Sequence, residues 1–313
     1  MALPVVIVGG PTASGKSSLA VALARRFDGT VINADSLQIY RDLGILTAQP
    51  SADDLAQAPH DLYAFAAADD RYDAMRWRAA AIDAIARSQA QSRLPVIAGG
   101  TGFYLNALLE GLSPIPPIDA QFRAQAQAFF DMHGIGALAD EIRRVDPAGA
   151  MHIDTDNPQR LMRSYEVFLA TGQPLSYWQA QPKSGAPKDL RFFTIVIDPP
   201  REDLHRNAAL RIAYMQEAGM EDEVAAFKHR IERGEVAPDA PLTHACGYHP
   251  LADFIDGRCT REQALEAMLV DTRQYAKRQS TWFRNQIAPN TRMTSAQDGD
   301  ILPVLDAWLG KQN

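Results

Sequence analysis

Residues Gly10 to Ser17 read Gly-Pro-Thr-Ala-Ser-Gly-Lys-Ser (GPTASGKS), and the rest of the chain takes its place from this stretch. A glycine, four residues and then Gly-Lys-Ser is the P-loop pattern. Leu3 to Val8 (LPVVIV) before it is a short apolar, β-branched run, as expected of a strand buried on both faces. Ser17 to Phe27 after it carries Leu19, Ala20, Leu23, Ala24 and Phe27 at helical spacing. Gly10 and Gly15 allow the loop between them, Pro11, Thr12, Ala13 and Ser14, to turn the N–H groups of its non-proline residues inward, making an anion nest at a helix N-terminus. Lys16 adds a full positive charge, and the Ser17 hydroxyl is a natural Mg²⁺ ligand. The alternative is a glycine-rich turn with an ordinary surface lysine, which the strand and helix flanks disfavour. The loop identifies a phosphate-bearing ligand without saying which one.

The chain has 313 residues, enough for one large or two moderate domains. A hydrophobic content of 46% is ordinary for a globular protein, and the mean hydropathy of -0.22 argues against a membrane protein. No apolar run approaches the roughly 18 residues of a membrane span, and the short run before the P-loop does not read as a signal peptide. Two cysteines, Cys246 and Cys259, make no disulfide framework and no zinc spacing. They fit reduced thiols in a cytoplasmic protein. The net charge of -7 counts against a general nucleic-acid binder. Between positions 258 and 292, however, seven Lys and Arg face three acids, so this segment is +4 inside an acidic protein.

Thr30 to Ala34 reads as a second strand and delivers Asp35 at its carboxyl end, where ligands bind in open α/β sheets. Spacing alone leaves Asp35 either a chemical group or a cap on the next turn. Ser51 to Asp73 is polar and irregular, and Ala74 to Arg93 predicts a helix with Trp77, Ala81, Ile85 and Ala86 on one face. Leu94 to Ala98 is a third buried strand, followed by Gly99-Gly100-Thr101-Gly102 and a helix through Leu109. Thr101 is thereby presented at the same sheet edge, as a functional group or as a local cap.

Ser113 to Asp119 (SPIPPID) is a proline-rich break, and Ala120 to about Gln181 reads as helical throughout. After a loop at Pro182 to Pro187, the run Phe192 to Ile197 (FFTIVI) resumes the sheet. The fold class expected is therefore α/β, a P-loop NTPase-like parallel sheet core formed by residues 1–113 and 190–313, with an all-helical insertion domain at 114–189. Leu204 to Arg233 reads as helical, with Glu221 to Glu223 on its polar face. Leu242 to Pro250 reads as a loop and Glu262 to Asn285 as the last long helix. Lys277, Arg278, Arg284 and Trp282 form a phosphate-and-stacking surface, or a solvated basic face over a buried aromatic pair.

In this order, GPTASGKS, DSLQIY (35–40), GGTGFY (99–104), DNPQRLMRSYEV (156–167) and YAKRQSTWFR (275–284) resemble the tRNA dimethylallyltransferases, the bacterial tRNA isopentenyltransferases. The resemblance spans nearly the whole chain. It implies transfer of a dimethylallyl group from dimethylallyl pyrophosphate to the exocyclic amine of the adenine 3′ of the anticodon in tRNA. The P-loop would then hold the departing pyrophosphate, with Lys16 and a Mg²⁺ on Ser17 stabilising its charge. Asp35 matches the general base and Thr101 the residue beside pyrophosphate and amine. The base must be flipped from a stacked loop, and Ser36, Leu37 and Gln38 match its contacts, Gln38 through its amide. Arg123 and Gln159, Arg160, Leu161, Met162 and Arg163 match contacts with the anticodon stem-loop. His244, Gly247, Tyr248, His249, Lys277, Arg278, Gln279, Trp282 and Arg284 match further tRNA-contacting positions.

Three positions depart from that family. Asn207 stands where an arginine near the pyrophosphate is usual, leaving Arg206 or Arg211 to compensate. His249 replaces the more frequent Arg or Lys after Gly-Tyr, and Asp61 replaces a second histidine after His60. A P-loop kinase of small molecules or nucleotides is the main rival, with Asp35 activating a hydroxyl acceptor. A GTPase-like switch ranks last, because no NKxD-type motif is present. No readable oligomer interface leaves a monomer as the expectation.

Overall fold

The computed structural model describes residues 2–296 and 301–310. Six strands, β1 (Leu3–Gly9), β2 (Gly29–Asn33), β3 (His60–Asp61), β4 (Leu94–Gly99), β5 (Leu190–Ile197) and β6 (Thr291–Met293), form one sheet. Their order is β3-β2-β4-β1-β5-β6, and every pairing is parallel. Val5 to Val8 on the central strand are fully buried, as a strand covered on both faces requires. Register pairs Gly9 with Gly99 and with Val196. The carboxyl ends of β1, β4 and β5 thus finish level with one another, beneath the P-loop.

Apolar clusters on the sheet and among the C-terminal helices serve this α/β unit. One lies between the sheet, the helix Lys16–Phe27 and the helix Ile301–Leu309. Another gathers Ile39, Tyr40, Met215, Phe227, Leu251 and Met268 from the helices of the C-terminal half. Local chemistry explains most elements. Ser51 and Asp54 form a capping box that starts the helix Ala52–Gln57. That helix and β3 lie in the stretch expected to be irregular, where they are too short to show periodicity. In the helix Ala74–Ala90 the buried stripe is Trp77, Ala81, Ala84, Ile85 and Ser88. Ala86 is exposed, a half-turn away from that stripe.

The stretch expected as one helix from Leu204 to Arg233 is two, Arg201–Glu217 and Met220–Glu232. Gly219 at φ 89 separates them. The expected loop at Leu242 to Pro250 is a 3₁₀ turn at Pro241–His244 followed by the helix Tyr248–Ile255, which starts from Gly247 at φ 91. The basic segment lies on the 26-residue helix Arg261–Gln286. No helix among the described residues is long and apolar enough to cross a membrane.

The chain divides into two compact units, one running to Leu109 and again from Pro187, the other Glu110–Ala186. The second is helical, with Ala120–Val145, Pro147–Ala150, Pro158–Thr171 and Leu175–Ala180. Leu138, Ala139, Ile142 and Leu161 form its core, backed by Phe129 and Tyr165. Asp146 is buried and joins three of its helices: it accepts from the Gly149 N–H at 2.8 Å, the Ser176 N–H at 3.0 Å and the Ser176 hydroxyl at 2.5 Å. Its closing bridge pairs Leu112 with Ser184.

Candidate active site

The P-loop takes the shape its sequence requires. Ala13 at φ 62 and Gly15 at φ 87 place two left-handed residues on either side of Ser14, whose N–H donates to the Pro11 carbonyl at 3.3 Å, the kind of tight backbone turn from which anion nests are built. Glycine tolerates that conformation and alanine resists it. The Ala13 carbonyl is held from outside by the Asn207 amide, Nδ2 to O at 3.1 Å, the kind of support a strained residue needs. Asn207 therefore stays in contact with the P-loop through its backbone.

Lys16 is half-buried, with Nζ 3.3 Å from the Pro11 carbonyl. Burial pushes its ammonium down to about 8, Asp35 opposes that shift and Arg211 reinforces it. Arg211 donates to the Thr12 hydroxyl at 2.6 Å. Its guanidinium is lowered by burial, again against the pull of Asp35. Of the two arginines able to compensate for Asn207, Arg211 enters the site. Arg206 lies on the surface, paired with Asp203 at 2.5 Å. Two desolvated cations and one carboxylate thus surround the mouth of the anion nest.

Asp35 is fixed through its backbone by Asn33, which is 0% exposed. The Asn33 carboxamide accepts from the Asp35 N–H at 2.8 Å and donates to the Asp35 carbonyl at 3.0 Å. The Asn33 carbonyl accepts from the Trp77 indole at 2.9 Å. One Asp35 oxygen accepts from the Leu37 N–H at 3.1 Å, so Asp35 does cap the following turn. Asp35 also lines a pocket with Thr12, Arg211, Cys246 and Tyr275 at its polar side and Leu46, Met215 and Met268 at its apolar side. Burial keeps the Cys246 thiol above its ordinary value, hence protonated.

Thr101 Oγ1 accepts from the Ser36 N–H at 2.9 Å and donates to the Ser36 hydroxyl at 3.2 Å. The glycine turn after β4 and the Asp35 turn after β2 are thereby laced together. Gln38 donates through Nε2 to the carbonyls of Thr47 (2.9 Å) and Ala48 (2.6 Å). Its amide nitrogen is occupied, so an adenine would meet only its oxygen. The expected two-sided amide pairing is not available. Glu223 holds the Gly44–Thr47 turn from the other side, accepting from the N–H groups of Ile45 (2.9 Å) and Leu46 (3.0 Å). It does not continue a solvated face, as the sequence had implied.

The positions matched to tRNA contacts separate by burial. Arg123, Gln159, Arg160 and Arg163 are exposed on the helical unit, Arg163 being paired with Glu166 at 3.1 Å. Leu161 is 0% exposed in that unit's core and Met162 packs against it, so Leu161 has no surface to offer RNA. On the α/β unit His244, His249, Lys277 and Arg278 are exposed. Tyr248 is 5% exposed and packs edge-on to Phe227. Gly247 is buried too. Trp282 lies flat against Gly102, where an added Cβ would come within 2.0 Å of the indole. Gln279 is buried, with both amide ends bonded inside the protein.

Charge also redistributes in three dimensions. Arg284 grips Asp198 with two bonds of 2.7 and 3.2 Å, and Arg292 approaches the same carboxylate at 3.5 Å. Arg258 and Arg261 pair with Asp253 and Glu221. Lys277 and Arg278 have no ion pair among the described residues and carry the exposed positive charge of that helix. Asp61, the third departure, pairs with Arg87 at 2.7 Å. Ser17 is exposed, next to Lys16 in the chain. Among the described residues no group of three or more His, Cys, Asp or Glu is placed to hold a metal.

The model of the IPP transferase family matches residues 38–286, and that of isopentenyl transferase matches residues 3–64. A tRNA dimethylallyltransferase of Rhodospirillum centenum is 43% identical over 289 residues, covering 92% of this chain and 91% of the relative. The full-length tRNA isopentenylpyrophosphate transferase of Bacillus halodurans is 31% identical, with a TM-score of 0.67 over 99% of this chain and 97% of that one. A eukaryotic dimethylallyltransferase acting on tRNA superposes with a TM-score of 0.79 over 99% of this chain and 80% of that one. At 20% identity that last likeness speaks to the fold alone. The P-loop, the Asp35 and Thr101 turns and the matches over most of the chain agree, and the chain belongs to the IPP transferase family.

Proposed function

We propose that this enzyme transfers a dimethylallyl group from dimethylallyl pyrophosphate to the exocyclic amine of the adenine 3′ of the anticodon in tRNA, releasing pyrophosphate. The observation that carries the reading is the meeting of an anion nest, the half-buried cations Lys16 and Arg211 and the carboxylate of Asp35, beside a partly apolar pocket that Arg211 and Asp35 line. The names of the relatives support tRNA and a prenyl pyrophosphate as substrates, and the choice of adenine follows the family resemblance of the sequence motifs. The amine nitrogen forms a bond to the first carbon of the donor as the bond from that carbon to the phosphate oxygen breaks. The pyrophosphate leaves against Lys16, Arg211 and the loop amides, and the amine proton passes to the free oxygen of Asp35. Thr101 holds Ser36 and with it the turn that carries the base.

Ser17, next to Lys16 at the start of the helix, is the residue that would hold a Mg²⁺ here. Bound there, the ion would neutralise charge on the leaving group. A kinase built on the same core would leave Lys277, Arg278 and the exposed arginines of the helical unit without a role. A monomer in the cytoplasm is part of the same proposal. Labelled dimethylallyl pyrophosphate incubated with total tRNA tests it: label should enter tRNA, and absence of label in tRNA would refute the assignment.

The lowered Lys16 value gives a pH dependence. In the free protein Lys16 is charged below about 8 and neutral above it. The donor's phosphates are already ionised there, with a last pKa of about 6. Donor affinity should therefore be full below pH 8 and should weaken as pH rises through that value, while the rate at saturating donor holds to higher pH. A KM for the donor that is flat from pH 7 to 9 would contradict this. For tRNA, Lys277→Ala and Arg278→Ala should each reduce the slope of log affinity against log salt by about one unit. Arg123→Ala and Arg160→Ala on the helical unit should act alike. Arg284→Ala should reduce it less, because Asp198 already neutralises that guanidinium.

A further inference from the structure

Gln279 sits on the helix Arg261–Gln286, directly after the exposed Lys277 and Arg278, yet it is only 6% exposed. Its Oε1 accepts from the Thr12 N–H at 2.7 Å, and its Nε2 donates to the Gly100 carbonyl at 2.8 Å. The reversed amide would set donor against donor and acceptor against acceptor, so the two contacts fix its orientation. The approach is close: a Cβ on Gly100 would stand 2.4 Å from Nε2. Thr12 is held on its other side by Arg211 at 2.6 Å. One carboxamide therefore ties the phosphate-holding loop to the turn that presents Thr101.

We infer that Gln279 is a positioning residue, whose carboxamide sets the spacing between the P-loop and the Gly99–Gly102 turn. That spacing aligns the donor carbon with the amine in front of Asp35. The N–H of Thr12 is bound to Gln279 and is not among the donors offered to pyrophosphate. Gln279 therefore acts on the anion site through the conformation of the loop. The inference rests on the prenyl-transfer reading for its rate readout and on the anion nest alone for its pyrophosphate readout.

Two variants test it. Gln279→Met keeps the length and loses both bonds, whereas Gln279→Glu keeps an acceptor for Thr12 and loses the donor to Gly100. Each is measured for thermal melting, inorganic pyrophosphate binding by calorimetry, tRNA binding on filters, and single-turnover transfer per folded molecule. Gln279→Met should bind pyrophosphate about tenfold more weakly, since the loop loses the hydrogen bond that holds its binding conformation. Its transfer rate should fall roughly 10²-fold, the scale of a misplaced reacting group, with tRNA affinity unchanged. Gln279→Glu, which also sets a negative charge against the loop, should likewise transfer slowly with tRNA affinity unchanged, and its transfer rate beside its tRNA affinity decides the matter if the methionine variant does not fold. Loss of tRNA affinity comparable to the loss of rate would make Gln279 an RNA contact and overturn the inference. Unchanged transfer per folded molecule would reduce it to a folding role and overturn it equally. If the wild-type protein binds pyrophosphate but transfers no prenyl group, the substrate assignment fails, and the pyrophosphate comparison still decides Gln279.

Discussion

Asp35→Asn is expected to lower single-turnover transfer by about 10²–10⁴-fold, the usual value of a positioned general base, with tRNA affinity held within a few-fold. The structure makes this substitution unusually clean. Asn33 fixes the backbone of residue 35 and does not touch its side chain. The bond from the Leu37 N–H to Oδ1 survives in asparagine, because the amide oxygen accepts as the carboxylate does. What is lost is the second oxygen as a proton acceptor, together with a negative charge facing Lys16 and Arg211. A residue that only caps the turn would give the opposite result, since asparagine caps about as well as aspartate. Near-normal chemistry in Asp35→Asn, measured beside filter-binding affinity, would remove Asp35 from the mechanism.

Lys16→Ala is expected to reduce kcat by about 10²–10³-fold, equivalent to roughly 2.7–4 kcal/mol of lost charge stabilisation. The ammonium stands at the start of the helix Lys16–Phe27, where it adds to the positive end of the helix dipole. Its burial raises its worth to a departing anion, because the charge is little screened by water. Arg211 remains as a second cation and accounts for activity above background in the variant. Steady-state turnover at saturating donor is the measurement. A rate close to wild type would show that the P-loop does not carry the leaving group.

The helix Arg261–Gln286 shows where sequence reading worked and where it did not. The pattern YAKRQSTWFR marks the whole string as one functional unit, so Lys277, Arg278, Gln279 and Arg284 were grouped together. A helix puts neighbours in sequence on different faces. Ala276, Gln279, Ser280 and Phe283 form the inner stripe at three- and four-residue spacing, and Lys277 and Arg278 the outer one. That periodicity was present and would have marked Gln279 as buried. Leu161, Ser164 and Val167 on the helical unit, and Tyr248, Leu251 and Ala252 on the helix after Gly247, carry the same signal. Strands β3 and β6, of two and three residues, are too short for any period to show.

By itself the sequence determined the parallel sheet, the phosphate nest, the placement of Asp35 and Thr101 at strand ends, and the helical stretch between two proline-rich breaks. Each depends on chemistry local to about ten residues: β-branched runs, helical spacing, glycines where the backbone turns. Partners distant in the chain were decided by the tertiary structure alone. Nothing local says that Arg211 and not Arg206 turns inward, that Asp198 neutralises Arg284 from 86 positions away, or that Gln279 reaches Thr12 across 267. Hydrogen bonds and charge pairs act over a few ångströms of space whatever their separation along the chain. A buried carboxamide or guanidinium must therefore take the partner that packing brings to it, and only the folded molecule shows which one that is.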